Sequence, residues 1–165
     1  MHPYPHSYVV SASAASSGSV AVFSPELPAI ETAAPPQFGG PGGVWSPETL
    51  LCASLADCFI LTFRAVARAA RFGWQSLDCR VEGMLERVGQ VSHFTRFTTF
   101  ARLTVPPATD AAKARELLER AEQGCLIANS VRGSRSLDAQ VIAQEPASAS
   151  RLVETSDRSV VGGRS

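Results

Sequence analysis

The chain of 165 residues is long enough for one domain that buries roughly two-thirds of the surface exposed by its unfolded form. Its formal net charge is zero, and the first Lys or Arg along the chain is Arg64. A protein that binds nucleic acid needs a basic patch facing the phosphates, so this distribution argues against a nucleic-acid partner.

The N-terminal residues 1–6 have neither the positive charge nor the apolar run of a secretory signal. Uncharged apolar stretches also stay below the length of about 18 residues that suggests a membrane span. These features predict a cytoplasmic protein without a membrane segment.

The histidines and cysteines are spaced in a way that does not favour a metal site. There is no Cys-x-x-Cys pair, and His2 and His6, although four residues apart, belong to a polar terminus. The thiols of a cytoplasmic protein are kept reduced. We therefore expect the cysteines either to react or to pack in the core, and we expect no metal and no cofactor. The four cysteines are Cys52, Cys58, Cys79 and Cys125.

The first third of the chain predicts a small sheet followed by a helix. Residues 7–15 and 20–24 are β-prone and are separated by Ser16-Ser17-Gly18, which favours a hairpin, and residues 29–32 predict a third extended segment. Residues 35–43, rich in Pro and Gly, predict a loop. A helix then starts with Ser46 as N-cap, Pro47 in the first turn and Glu48 as a first-turn acid.

This helix is predicted to end near Arg71, with Gly73 just past its end. Residues 50–61 are apolar nearly all round, which is typical of a helix buried on most sides by a sheet or by a second subunit. Leu55 and Leu61 are therefore expected in the core, and Asp57 is expected to make the one polar contact of the buried helix.

The rest of the chain predicts a hairpin, a second helix and a last strand. Residues 74–86 alternate apolar and polar, Gly89 turns the chain, and residues 92–105 form the partner strand. Asp110 caps a helix that Gly124 ends, residues 125–130 form a short helical piece, and residues 137–143 are a last strand. We expect one domain over residues 1–144 and a disordered tail over residues 145–165.

The two cysteines that could react differ in their predicted surroundings. Cys125 directly follows Gly124, so the unpaired N–H groups of a new helix should favour its thiolate. Cys58 lies mid-helix among apolar residues, which should raise its pKa unless a cation offsets the burial. Cys52 lies about 120° round the helix from Cys58, and we expect Cys52 and Cys79 only to pack.

Residues 37–63, QFGGPGGVWSPETLLCASLADCFILTF, resemble the OsmC/Ohr family, the osmotically inducible and organic hydroperoxide resistance proteins. The resemblance continues through Gly73, the hairpin over residues 74–105, the helix after Asp110 and GCLIANS at residues 124–130. It covers residues 7–144. It implies an α+β fold in which antiparallel sheets wrap a long central buried helix, with a second helix on the sheet.

The resemblance also implies an intertwined homodimer that acts as a thiol peroxidase, with active sites at the subunit interface. Cys58 matches the attacking cysteine, which a peroxide oxidises to a sulfenic acid, and Cys125 matches the cysteine that then forms a disulfide with it. An external dithiol restores both thiols. In the organic hydroperoxide branch of the family this reductant is a lipoylated protein.

Glu48 matches the active-site glutamate of the family, but on a straight helix it lies about 15 Å along the axis from Cys58. We therefore predict that Glu48 serves Cys58 of the partner subunit, or that the helix breaks between them. The alternative is that Glu48 only favours the first turn through the helix dipole.

The chain departs from the family in one position. Strongly active members resemble one another in carrying an arginine ahead of the central helix, where Gln37 stands here. This leaves two hypotheses, a thiol peroxidase or a slow redox-sensing or non-catalytic dimer that binds an apolar small molecule at its interface. The cations that could replace the arginine are Arg64, Arg68, Arg132 and Arg135.

Overall fold

The order of elements expected from the sequence is present in the computed structural model, which describes residues 3–145. The predicted tail lies outside the described residues, apart from Glu145. The described residues form β1 (Ser11–Ala14), β2 (Val20–Phe23), β3 (Ile30–Thr32), α1 (Pro47–Ala69), β4 (Ser76–Val88), β5 (Val91–Val105), α2 (Ala111–Gly124) and β6 (Ser134–Ala143).

The strands form two three-stranded sheets, ordered β1-β2-β3 and β4-β5-β6. The first sheet is antiparallel, as is the long β4–β5 hairpin, but β5 and β6 are parallel, so the expectation of antiparallel sheets is wrong for this pair. The reason is that α2 connects β5 to β6, and a helical crossover returns the chain in the same direction. The strand–helix–strand order was a signal for it in the sequence.

The start of α1 is fixed by the predicted cap. The Thr49 N–H donates to Ser46 Oγ at 3.3 Å, and the Ser46 N–H donates to Thr49 Oγ1 at 2.9 Å, which is a reciprocal capping box. The end differs from the prediction. Arg71, with φ of 50°, takes the left-handed position, and the Phe72 N–H donates to the Ala67 carbonyl at 2.9 Å, so Gly73 lies beyond the cap.

One stripe of α1 is buried, and it consists of four apolar side chains spaced four residues apart. The stripe packs against α2 and the inner face of the second sheet. Length and apolarity alone would also suit a membrane span. Within one chain α1 is not buried on most sides, because Leu61 is 51 % exposed and Asp57 is also exposed. Burial of this face by a second subunit stays a prediction. The stripe is Leu55, Phe59, Phe63 and Ala67.

The second helix closes this core. Asp110 Oδ1 accepts from the Ala112 N–H at 2.8 Å and the Lys113 N–H at 3.1 Å, which confirms the predicted N-cap. The inward face of α2 is fully buried between α1 and the sheet. Beyond Gly124 the chain makes a turn that ends in a single 3-10 turn, Ala128–Ser130, before β6 begins at Ser134. The buried residues of α2 are Ala114, Leu117, Leu118 and Ala121.

Candidate active site: a thiol pair where the second helix ends

The fold brings Cys58 and Cys125 together, although they lie on different elements. Cys58 is half-buried in the middle of α1, whereas Cys125 caps the C-terminal end of α2 and is completely buried. The two thiols share a hydrogen bond. The helices approach closely here, since a Cβ on Gly124 would lie 3.4 Å from Thr62 Cγ2. The structure thus places the two predicted reactive cysteines in one site as free thiols.

The turn after Cys125 directs backbone N–H groups at both sulfur atoms. The Ala128 N–H lies 3.5 Å from Cys125 Sγ and donates to it. The N–H groups of Ile127 and Leu126 lie close enough to Cys58 to lower its pKa, and the Ile127 N–H acts on Cys125 as well. A turn at the end of a helix leaves such groups without carbonyl partners, so they are available to a sulfur that carries negative charge.

These contacts lower the pKa of Cys58. Burial alone would raise it, but hydrogen bonds from the Ile127 N–H, the Cys125 thiol, the Thr62 hydroxyl and the Leu126 N–H together outweigh that effect. The contact with Thr62 is long, since its Oγ1 lies 4.0 Å from the Cys58 Sγ. Cys58 is therefore the thiol that ionises first in this pair.

Cys125 behaves in the opposite way, and the predicted stabilisation of its thiolate is wrong. Burial, the hydrogen bond to Cys58 and the charge of Cys58 together raise the pKa of Cys125 to about 11, although the Ala128 and Ile127 N–H groups act to lower it. When the pair loses its first proton, the negative charge lies on Cys58 and the remaining proton stays on Cys125. The sequence correctly indicated free N–H groups after Gly124, but they act on both sulfur atoms.

None of the groups that lower the pKa of Cys58 is a charged side chain. Of the four candidate arginines, Arg64 and Arg68 are exposed on α1. Arg132 lies in an apolar groove beside Phe94. Arg135 forms an ion pair with Glu122, with Nε 3.5 Å from Oε1. Within one chain, backbone N–H groups do what the sequence analysis assigned to a cation.

Glu48 lies at a different place from the thiol pair. Together with Gln37, Phe38 and Cys52 it lines a cavity of about 500 Å³ between the loop before α1 and the second sheet. Among the described residues, Glu48 Oε2 is the one buried side-chain oxygen without a hydrogen-bond partner. Because α1 is continuous from Pro47 to Ala69, a helix break between Glu48 and Cys58 is excluded.

Residues 40–140 match the family described as OsmC-like protein. The chain belongs to the OsmC-like family. An organic hydroperoxide resistance protein of Xanthomonas axonopodis pv. citri (strain 306) is 33 % identical over 104 residues, which make up 61 % of this chain and 69 % of the relative. The resemblance drawn from residues 37–63 is confirmed.

Solved structures of OsmC-like proteins share this fold. An OsmC-like protein from Mycoplasma pneumoniae superposes with a TM-score of 0.73 at 16 % identity, covering 84 % of this chain and 99 % of that one. An organic hydroperoxide resistance protein from Vibrio cholerae, described with captopril bound in one of its active sites, gives a TM-score of 0.62 at 25 % identity, covering 86 % of this chain and 93 % of that one. These likenesses confirm the α+β architecture.

The other two cysteines of this OsmC-like chain are placed for packing. Burial raises the pKa of Cys79 to about 11, and Cys79 packs against the main core. Burial also raises the pKa of Cys52, despite a hydrogen bond from the Gly83 backbone. In residues 3–145, no three His, Cys, Asp or Glu side chains are grouped so that they could hold a metal ion.

The sequence analysis did not identify Thr62, Leu126 and Ile127 as parts of the site. Leu126 and Ile127 act through the backbone, so their residue types give no signal. The break at Gly124 was the signal that could have found them, because any turn there leaves N–H groups unpaired.

Proposed function

We propose that the protein is a thiol peroxidase that reduces organic hydroperoxides at Cys58. The observation that carries the proposal is the thiol pair: Cys58 has a lowered pKa, and Cys125, which keeps its proton, is in hydrogen-bond contact with it. The name of the Xanthomonas relative supports the substrate class. The proposed setting is the cytoplasm, as part of an oxidative-stress response.

The reaction begins with the thiolate of Cys58. Its sulfur attacks one peroxide oxygen, the O–O bond breaks, and the alkoxide leaves and takes up a proton to become the alcohol, while Cys58 becomes a sulfenic acid. The thiol of Cys125 then attacks that sulfur, water leaves, and a Cys58–Cys125 disulfide remains. An external dithiol returns two electrons and two protons. A lipoylated protein is the first reductant to test, and no cofactor is needed.

A second subunit completes the proposed enzyme. One chain leaves apolar residues exposed on the N-terminal segment and on α1, among them Tyr8, Val10, Ile30 and Leu61. All four residues of β1 are exposed as well. An intertwined homodimer would cover these residues, and sedimentation equilibrium would measure its mass.

In this dimer we propose that Glu48 serves Cys58 of the partner subunit. The support is that Glu48 has a buried, unpaired oxygen in a cavity and that a continuous helix separates it from its own Cys58. Mixing Glu48→Gln with Cys58→Ser chains tests this. If the two residues act across the interface, each heterodimer has one site with both an intact Cys58 and an intact Glu48. Activity should therefore return on mixing. If it does not return, the proposed arrangement is wrong.

The peroxidase is tested with one equivalent of an alkyl hydroperoxide on the reduced protein. Disulfides are then mapped by mass spectrometry, and a Cys58–Cys125 bond is expected in the wild type and in the matched control Cys79→Ser. Cys125→Ser should stop at the sulfenic acid. If peroxide is consumed without the Cys58–Cys125 bond, the two-cysteine mechanism is wrong, and if none is consumed, the peroxidase is rejected.

A second candidate function is supported by an apolar groove of about 580 Å³ next to α1, lined by Leu51, Phe94, Phe97 and Val131 among others. In this alternative the dimer binds an apolar small molecule and its thiols are slow sensors. Saturable binding of 8-anilinonaphthalene-1-sulfonate, combined with peroxide consumption no faster than that of free cysteine, would favour it over the peroxidase.

A further inference from the structure

The turn from Cys125 to Ser130 is held by the side chains of its last two residues. Asn129 Nδ2 donates to the Gln123 carbonyl at 3.0 Å, and Ser130 Oγ donates to the Leu126 carbonyl at 2.9 Å. The Asn129 N–H also donates to the Cys125 carbonyl at 3.0 Å. The side chain of Asn129 therefore ties the end of the turn back to the last turn of α2, whose carbonyls would otherwise lack partners.

Arg135 connects this turn to the sheet. Its Nη1 donates to Asn129 Oδ1 at 2.9 Å, and its Nε lies 3.5 Å from Glu122 Oε1. Arg135 is the second residue of β6 and pairs in register with the buried Phe97 of β5, which places it on the strand position that faces α2. One guanidinium thus contacts the end of α2 and the turn that follows it.

We propose that Arg135 is a positioning residue of the thiol site: through Asn129 it holds the turn 125–130 in the conformation in which the Leu126 and Ile127 N–H groups face the sulfur of Cys58. The inference rests on the proposed function, since it assigns to Arg135 a role in preparing the attacking thiol. It also gives one of the four candidate arginines a specific task that needs no contact with Cys58.

The geometry favours positioning over simple stabilisation. The side chains of Arg135 and Glu122 are 29 % and 18 % exposed, and a pair that reaches solvent contributes little to folding stability. A planar guanidinium that contacts two partners through two different nitrogens fixes direction, however, and a lysine cannot reproduce this. Since a hydrogen bond to sulfur weakens steeply with misalignment, a small rotation of the turn would weaken both N–H contacts to Cys58.

The test measures the pKa of Cys58 from the pH dependence of iodoacetamide alkylation, followed on the Cys58 peptide by mass spectrometry. Arg135→Ala and Asn129→Ala should each slow alkylation about threefold to tenfold at a pH one unit below the wild-type pKa, because less thiolate is present. The double variant should be no slower than the slower single variant, since both act through the same contacts. Arg135→Lys should restore only part of the rate.

Arg115→Ala is the matched control. Arg115 Nη1 donates to the Ala139 carbonyl at 3.0 Å, so this arginine also joins α2 to β6 but does not touch the turn. Its loss should leave the alkylation of Cys58 unchanged. Folded Arg135→Ala and Asn129→Ala proteins with the same Cys58 pKa as Arg115→Ala would overturn the inference. If Arg135→Ala does not fold, Asn129→Ala, at an exposed residue, decides alone.

No peroxide is used in this measurement, so its outcome is separate from that of the proposed function. A Cys58 pKa that responds to Arg135 in a protein that consumes no peroxide would support the positioning role and reject the peroxidase. Peroxide consumption with an unresponsive pKa would reject the positioning role alone.

Discussion

Phe63 and Cys58 lie on the same helix, little more than one turn apart, in very different surroundings. Phe63 is completely buried against α2 and the second sheet. Cys58 is half-buried beside a much smaller cluster formed by Leu55, Phe97, Cys125 and Ala128. We call residues 59–67 the packed end of α1 and residues 51–58 its thiol end.

The difference between the ends follows from where α2 stops. The packed end is covered by the buried face of α2, whose last residue is Gly124. Over the thiol end the cover is the turn 125–130, which brings N–H groups as well as the small side chains of Cys125 and Ala128. A helix end placed over a cysteine therefore supplies donors for a thiolate, whereas a helix face would only bury the thiol and raise its pKa.

The largest expected effect is on the packed end. Phe63→Ala should lower the free energy of unfolding by about 3–5 kcal/mol, because it leaves a cavity in a sealed core. Urea unfolding followed by circular dichroism measures this. In a single chain Leu61→Ala should cost about 1 kcal/mol or less, since Leu61 is half exposed. Equal costs for the two variants, at all protein concentrations, would contradict the distinction between the faces of α1.

The next effect separates the two thiols. At pH 7.5 Cys58 should be alkylated at least about tenfold faster than Cys125, because Cys125, with a pKa of about 11, stays almost wholly protonated. As the pH rises, the rate at Cys58 should level off above its lowered pKa while the rate at Cys125 continues to increase towards pH 11. Peptide mapping after timed alkylation measures both rates.

Cys58→Ser provides the control for this ordering. Cys58 raises the pKa of Cys125 through its hydrogen bond and its charge, so without it Cys125 should react faster at a given pH. Faster alkylation of Cys125 than of Cys58 in the wild type would show that the proton lies on Cys58 and not on Cys125.

The sequence predicted the helices and strands far better than the thiol site. The caps at Ser46 and Asp110 and the alternation along β4 are local patterns, and each fixed an element to within a few residues. The exposure of Leu61 was missed because the apolar pattern of α1 does not distinguish burial within one chain from burial in an assembly.

The thiol pair itself was found only through the resemblance to the OsmC/Ohr family. Nothing in the spacing of Cys58 and Cys125 indicates contact, and the direction of the Leu126 and Ile127 N–H groups depends on turn dihedrals that residue types do not determine. The error about Cys125 has the same origin: unpaired N–H groups were predicted at the right place, but which sulfur they face is a property of tertiary structure.

A smaller effect on stability is expected at the start of α2, which is the end of this helix opposite Cys125. Asp110→Ala should lower the free energy of unfolding by about 1 kcal/mol, because the N–H groups of Ala112 and Lys113 lose their acceptor. Asp110→Asn keeps an acceptor and should cost less. Neither variant should change the alkylation rate of Cys58, and a change in that rate would show that the two ends of α2 are coupled.

The smallest effect tests the contact of the Thr62 hydroxyl with Cys58. Thr62→Val should slow the alkylation of Cys58 only about twofold, because the hydroxyl lies 4.0 Å from the sulfur and the Ile127 N–H and the Cys125 thiol lower the pKa more. Valine keeps a methyl group for the close approach to Gly124, so the contact between the helices should remain. Thr62→Ser is the complementary control, since it keeps the hydroxyl and removes that methyl. If Thr62→Val slowed Cys58 more than Asn129→Ala did, the side chain on α1, and not the turn after α2, would be the main source of the lowered pKa.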